Sequence, residues 1–152
     1  GLTVLAEVGL FTAAALLMLS ATAGLAQGPV LYETEGEFAD IAGAVEDAII
    51  NAGLVIDNTS HVGAMLNRTK AGVGGEKDIY TEADVFSFCS AVVSRKVMER
   101  DPLNIQACPY GIFVYELADA PGKIVVGHRD YAAEDLPEVQ ELVAGIVDNA
   151  LN

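Results

Sequence analysis

The segment Val85 to Glu116, VFSFCSAVVSRKVMERDPLNIQACPYGIFVYE, constrains the fold more than any other part of the 152-residue chain. Its residue types read as strand, helix, loop and strand, with Cys89 at the strand-helix junction and Cys108 at the loop-strand junction. Val85 to Cys89 is β-like, and Ser90 is placed to N-cap a helix running to about Arg100, with Val93, Val97 and Met98 toward the core. Asp101-Pro102 ends that helix, and Pro109 to Leu117 is again strongly β-like. Any fold must therefore join two strands through a helix and leave one thiol at each junction.

The flanking segments extend this pattern. Pro29 to Thr34 alternates like a short strand, and Phe38, Ile41, Ala42, Val45, Ala48, Ile49 and Ala52 follow helical spacing, with Gly53 as the stop. Leu54 to Asn58 reads as a second strand, and Thr59-Ser60-His61-Val62 as the cap of a short helix through Arg68. Lys70 to Asp84 shows no sustained period and is expected to be a surface loop. Its glycines do not form a phosphate loop, because GVGGEK lacks the required spacing. Ala118 to Gly122 is a turn signal leading into Lys123 to Tyr131, so the last two strands should pair as a hairpin. Leu136 to Leu151 closes the chain as an amphipathic helix. The expected fold is α+β: a single, mainly antiparallel sheet with helices packed mostly on one face, in the order β-α-β-(short α)-β-α-β-β-α.

Residues Leu2 to Ala26 are apolar apart from Glu7 and a few small polar residues, and their centre resembles the hydrophobic region of a signal peptide. A small-x-small cleavage site fits after Ala23 or after Ala26. The expected organisation is residues 1–26 as a signal peptide and residues 27–152 as one domain in the periplasm or secreted from a bacterial envelope. The rival reading is a retained membrane anchor, since about 20 predominantly apolar residues span a bilayer. Membrane partnership is expected only in that case.

A formal charge of -14 argues against a phosphate-backbone partner, which requires a basic patch, so no nucleic-acid partner is expected. Of eight basic residues, Arg95, Lys96 and Arg100 lie on the helix after Cys89, where Arg95 and Glu99 are spaced to pair with each other. No catalytic constellation is visible: Ser87, Ser90 and Ser94 lack a nucleophile-elbow context, and no carboxylate pair stands in a hydrolytic motif. The reading leans to a non-enzyme, names no metal and leaves any cofactor unknown.

The two cysteines admit two readings. In an exported domain, a disulfide across 19 positions could stabilise the fold by roughly 3 kcal/mol. That bond requires the chain after the helix to double back, because about 11 helical residues carry it roughly 16 Å from Cys89. A disulfide needs Cα atoms within about 7 Å. The other reading starts from Cys89 beside a helix N-terminus, which favours thiolate and hence redox, metal or haem chemistry. Cys89 and Cys108 are thus a candidate disulfide or thiol site, without a CxxC or related ligand motif. His128, Tyr110 and Ser90 are candidate ligand-binding residues. His128 shares a strand face with Ile124 and Val126, so a buried, neighbour-satisfied ring is the competing reading, and His61 at a helix start reads as surface.

The pattern Phe88-Cys89-Ser90, a helix, Asp101-Pro102, and Cys108-Pro109-Tyr110 leading into Ile112-Phe113-Val114-Tyr115-Glu116 resembles the domain of unknown function 302 (DUF302) family. The resemblance runs from about Tyr32 to Tyr131. Where many members carry Asn-Pro after the first cysteine, this chain has Ser90-Ala91, which keeps a cap and a helix start. The resemblance implies a small α+β domain and leaves activity open. The expected function is an exported protein that binds a small ligand or a protein partner in the cell envelope. The alternatives are a periplasmic thiol-redox or metal/haem-handling protein and an anchored accessory subunit of a membrane complex. A homodimer through an exposed sheet face or edge is also expected as an option.

Overall fold

The computed structural model describes residues 28–152, so the expected signal peptide or anchor lies outside the described residues. Five strands form one antiparallel sheet: β1 (Val30–Glu35), β2 (Val55–Ser60), β3 (Tyr80–Cys89), β4 (Tyr110–Leu117) and β5 (Lys123–His128), in the spatial order β1-β5-β4-β3-β2. The helices are α1 (Phe38–Asn51), α2 (Val62–Thr69), α3 (Ala91–Arg100) and α4 (Pro137–Leu151), and a 3-10 turn, Pro102–Ala107, links α3 to β4. This is the expected α+β order. No helix among the described residues is long and apolar enough to cross a membrane.

Local chemistry places the element ends. At the end of α1 the Gly53 N–H donates to Ile50 O and the Leu54 N–H to Ile49 O, a paired closure that needs the positive φ of Gly53, +82°. The Ser90 Oγ accepts the Val93 N–H at 3.1 Å and starts α3. Asp101 ends α3, and its carboxylate accepts the Leu103 N–H to start the 3-10 turn. The short helix α2 differs from expectation. His61 occupies its N-cap position without a side-chain cap bond, because Thr59 and Ser60 are held in β2 opposite Phe86 and Val85.

The core lies between one sheet face and the helices. Phe86, Phe88, Tyr110, Ile112, Val114, Ile124 and Val126 are buried against Val45 and Ile49 of α1, Val97 of α3 and Val139, Val143 and Ile146 of α4. Alternation puts Leu31, Val85, Phe113 and Tyr115 on the opposite face. β3 begins at Tyr80, five residues before the expected start, so the irregular connection is shorter than Lys70 to Asp84. β2 ends at Ser60 opposite Val85, and α2 then covers the edge of β3 that β2 leaves unpaired. Gly63 allows this contact: a Cβ there would lie 2.6 Å from the backbone nitrogen of Ala83.

Candidate functional site

The replacement of a strand by a short helix beside β3 opens a groove of about 510 Å³ between α1, α2 and the first half of β3. Its floor is formed by the buried side chains of Phe38, Ala42 and Phe86. Polar walls rise on both sides, Glu46 on α1 and His61, Asn67, Glu82 and Asp84 on the opposite elements. Gly43 lines the α1 wall, and a Cβ built there meets nothing within 4 Å. A groove of this size with an apolar floor and a few convergent polar groups is the usual form of a small-molecule site.

His61 is held in place. Its Nδ1–H donates to Asp84 Oδ1 at 2.8 Å, with the imidazole largely solvent-facing and the carboxylate only 17% exposed. In the neutral ring this fixes Nε2 as the lone-pair atom, an acceptor. Asn67 donates its Nδ2–H to Tyr80 O at 3.4 Å, tying α2 to β3 and leaving its side-chain carbonyl oxygen as an acceptor. Outside the groove lining, Lys70 and Asp78 pair at 2.8 Å across the connection from α2 to β3.

Cys89 and Cys108 are joined as a disulfide, with Cα atoms 6.3 Å apart. The sheet topology explains their approach. β3 and β4 are antiparallel neighbours with Phe88 opposite Tyr110, so the 3-10 turn returns the chain to the point it left at Cys89. Ser94 Oγ lies 2.8 Å from Tyr110 Oη and 3.9 Å from Cys108 Sγ, which fastens α3 over this junction.

The candidates His128, Tyr110 and Ser90 are all buried and do not line the groove. Ser90 caps α3, and the Tyr110 hydroxyl is engaged by Ser94. His128 is fully enclosed: its Nδ1–H donates to the backbone oxygen of Arg129 at 2.7 Å, while its Nε2 accepts the Tyr32 hydroxyl at 3.2 Å. The ring also stacks on Tyr131, with 6.2 Å between centroids. Both nitrogens are thus satisfied in the neutral form, and burial pushes the His128 pKa below the usual histidine value, opposed by the Arg129 carbonyl and Asp130. Burial likewise raises the Tyr131 phenol. On the surface, Glu138 is drawn down to about 2 by its hydrogen bonds with Arg100.

Sequence reading missed the groove and His61's place in it. The available signal was the polar spacing of Glu82 and Asp84 on the strand face that continues into Phe86 and Phe88, which marks where that face leaves the core. Among the described residues, no three His, Cys, Asp or Glu side chains come together to hold a metal.

A single antiparallel sheet carrying its helices on one face, with a disulfide between neighbouring strands and a groove at one sheet edge, defines a small α+β domain architecture. No protein-family model matches the chain. No curated protein matches it either. Among solved structures, the fold is that of an uncharacterized conserved DUF302 protein from Bacillus stearothermophilus, with a TM-score of 0.60 and 14% sequence identity, covering 83% of this chain and 94% of that one. The DUF302 resemblance carried by the cysteine-flanked segment is therefore matched by the fold.

Proposed function

We propose that this chain is an exported binding protein of the cell envelope that holds a small ligand in the groove between α1, α2 and β3. The observation that carries the reading is the groove itself, with an apolar floor under an imidazole oriented by Asp84. Such an arrangement supplies burial for an apolar group and directional hydrogen bonds for a polar one. In this reading the disulfide acts as a staple that holds β3, α3 and β4 together.

Thermal-shift screening of a small-metabolite panel, followed by titration of each stabilising compound, tests the proposal. Gly43→Leu is the companion variant, because its side chain enters open space on the groove wall and improves helix propensity. Compounds that stabilise the parent and lose at least about 1.4 kcal/mol of affinity, a tenfold change, in folded Gly43→Leu support the site. Compounds that bind both proteins equally place binding elsewhere. Protein recovered from the exporting host should begin at Gly24 or Gln27 by N-terminal sequencing, and an uncleaved terminus in the membrane fraction would refute the signal peptide in favour of a retained anchor.

A further inference from the structure

We infer that the groove selects a small organic cation, an ammonium group carried on a short apolar body, an inference that rests on the binding-site reading above. The ionisable side chains that line it are Glu46 on one wall and Glu82, Asp84 and His61 on the other, and its lining includes no lysine or arginine. Acidity of the whole chain explains this only in part. The clefts beside Glu33 and Glu35, beside Glu134, and beside Glu138 and Glu141 include Lys123, Arg129 and Lys96 respectively among their lining residues, whereas the cleft beside Asp47, like the groove, includes neither lysine nor arginine but has one acid to the groove's three.

Hydrogen-bond polarity points the same way. Of the side-chain N–H groups, the His61 Nδ1–H is taken by Asp84 and one of the two Asn67 amide N–H groups by Tyr80 O. Among the side chains, what remains toward a ligand is mostly acceptors: the carboxylate oxygens and the Asn67 carbonyl, with the Thr59 and Thr81 hydroxyls able to serve either way. A carboxylate or phosphate ligand would meet like charge from Glu46, Glu82 and Asp84, whereas an ammonium brings three donors and a matching charge. The floor of Phe38, Ala42 and Phe86 suits an alkyl or aryl body. Among the described residues the groove lacks a three-ligand set of His, Cys, Asp or Glu, which favours an organic cation over a bare metal ion.

The test is a backbone amide NMR titration of the disulfide-bonded protein with three probes of equal chain length: hexylammonium, hexanol and hexanoate. The expected result is saturable shifts at Ala39, Gly43, His61 and Asn67 with hexylammonium, at least about tenfold weaker binding of hexanol, and none of hexanoate. The Glu46→Gln/Glu82→Gln double variant should weaken hexylammonium about 3- to 10-fold at low salt and leave hexanol unchanged, since both carboxylates are exposed and screened. Equal binding of all three probes at those residues would retain the binding groove and overturn the cation inference. Ammonium shifts spread over the acidic surface, with groove residues silent to every probe, would overturn both.

Discussion

Replacing both cysteines, in Cys89→Ser/Cys108→Ser, should lower stability by about 3 kcal/mol without changing the fold. The bond closes a loop across a separation of 19 residues, containing all of α3 and the 3-10 turn. In the chain-entropy argument, a loop of this size restricts the unfolded chain by about 3 kcal/mol at 25 °C. The folded side of the balance should change little, because Phe88 remains paired opposite Tyr110 and Ser94 still holds the Tyr110 hydroxyl. Urea unfolding followed by far-UV circular dichroism measures the difference. With a slope of about 1.5–2 kcal/mol/M, the midpoint should fall by about 1.5–2 M. The slope itself should rise, since an unfolded chain without the cross-link exposes more surface. Coincident midpoints and slopes for parent and variant would refute the staple argument. Loss of groove ligand binding in a variant with intact far-UV signal would instead make the sulfur atoms part of the site.

Other perturbations test the packing that shapes the groove and the core. Gly63→Ala should cost about 1–3 kcal/mol by overpacking, because the new methyl would meet the Ala83 backbone nitrogen at 2.6 Å and α2 must withdraw; an unchanged urea midpoint would contradict this close approach. Tyr131→Phe should cost about 1–2 kcal/mol in the same assay, since the Tyr131 hydroxyl accepts the Gly111 N–H at 3.2 Å and its loss leaves that donor unpaired. Thermal stability should fall as pH drops below about 6.5, because the unfolded chain takes up a proton at the usual histidine value while folded His128, with its lowered pKa, resists it until lower pH. Below the ordinary value of 4.5 for Glu138, a further loss follows as pH approaches about 2, where its carboxylate releases Arg100. His128→Phe should flatten the first of these slopes, and a melting temperature independent of pH between 5 and 7 in the parent would contradict the buried neutral ring.

The parts of the fold legible in the sequence are those fixed by local rules. The α1 pattern, the Gly53 stop, the Ser90 cap and the Asp101-Pro102 break each depend on residues within one helical turn, and each appears in the structure where its chemistry demands. The approach of Cys89 and Cys108 depended on whether β3 and β4 run antiparallel, a long-range choice that neither strand's composition decides. Once the 3-10 turn reverses the path, the 6.3 Å separation follows from the pairing of Phe88 with Tyr110.

The groove was hidden for a different reason. The first half of β3 carries Glu82 and Asp84 on the same strand face as Phe86 and Phe88, so its hydrophobic alternation stops before the strand does. Those carboxylates belong there only because β2 ends at Ser60 and α2 takes its place, which turns the next stretch of sheet from core floor into groove wall. Gly43 fits the same explanation. In the interior of α1 a glycine costs about 1 kcal/mol relative to alanine, and open space beside it means that packing does not demand it. A glycine that weakens its helix while bordering an open groove keeps that volume clear, and under the proposed function an added side chain at position 43 would compete with the ligand for it.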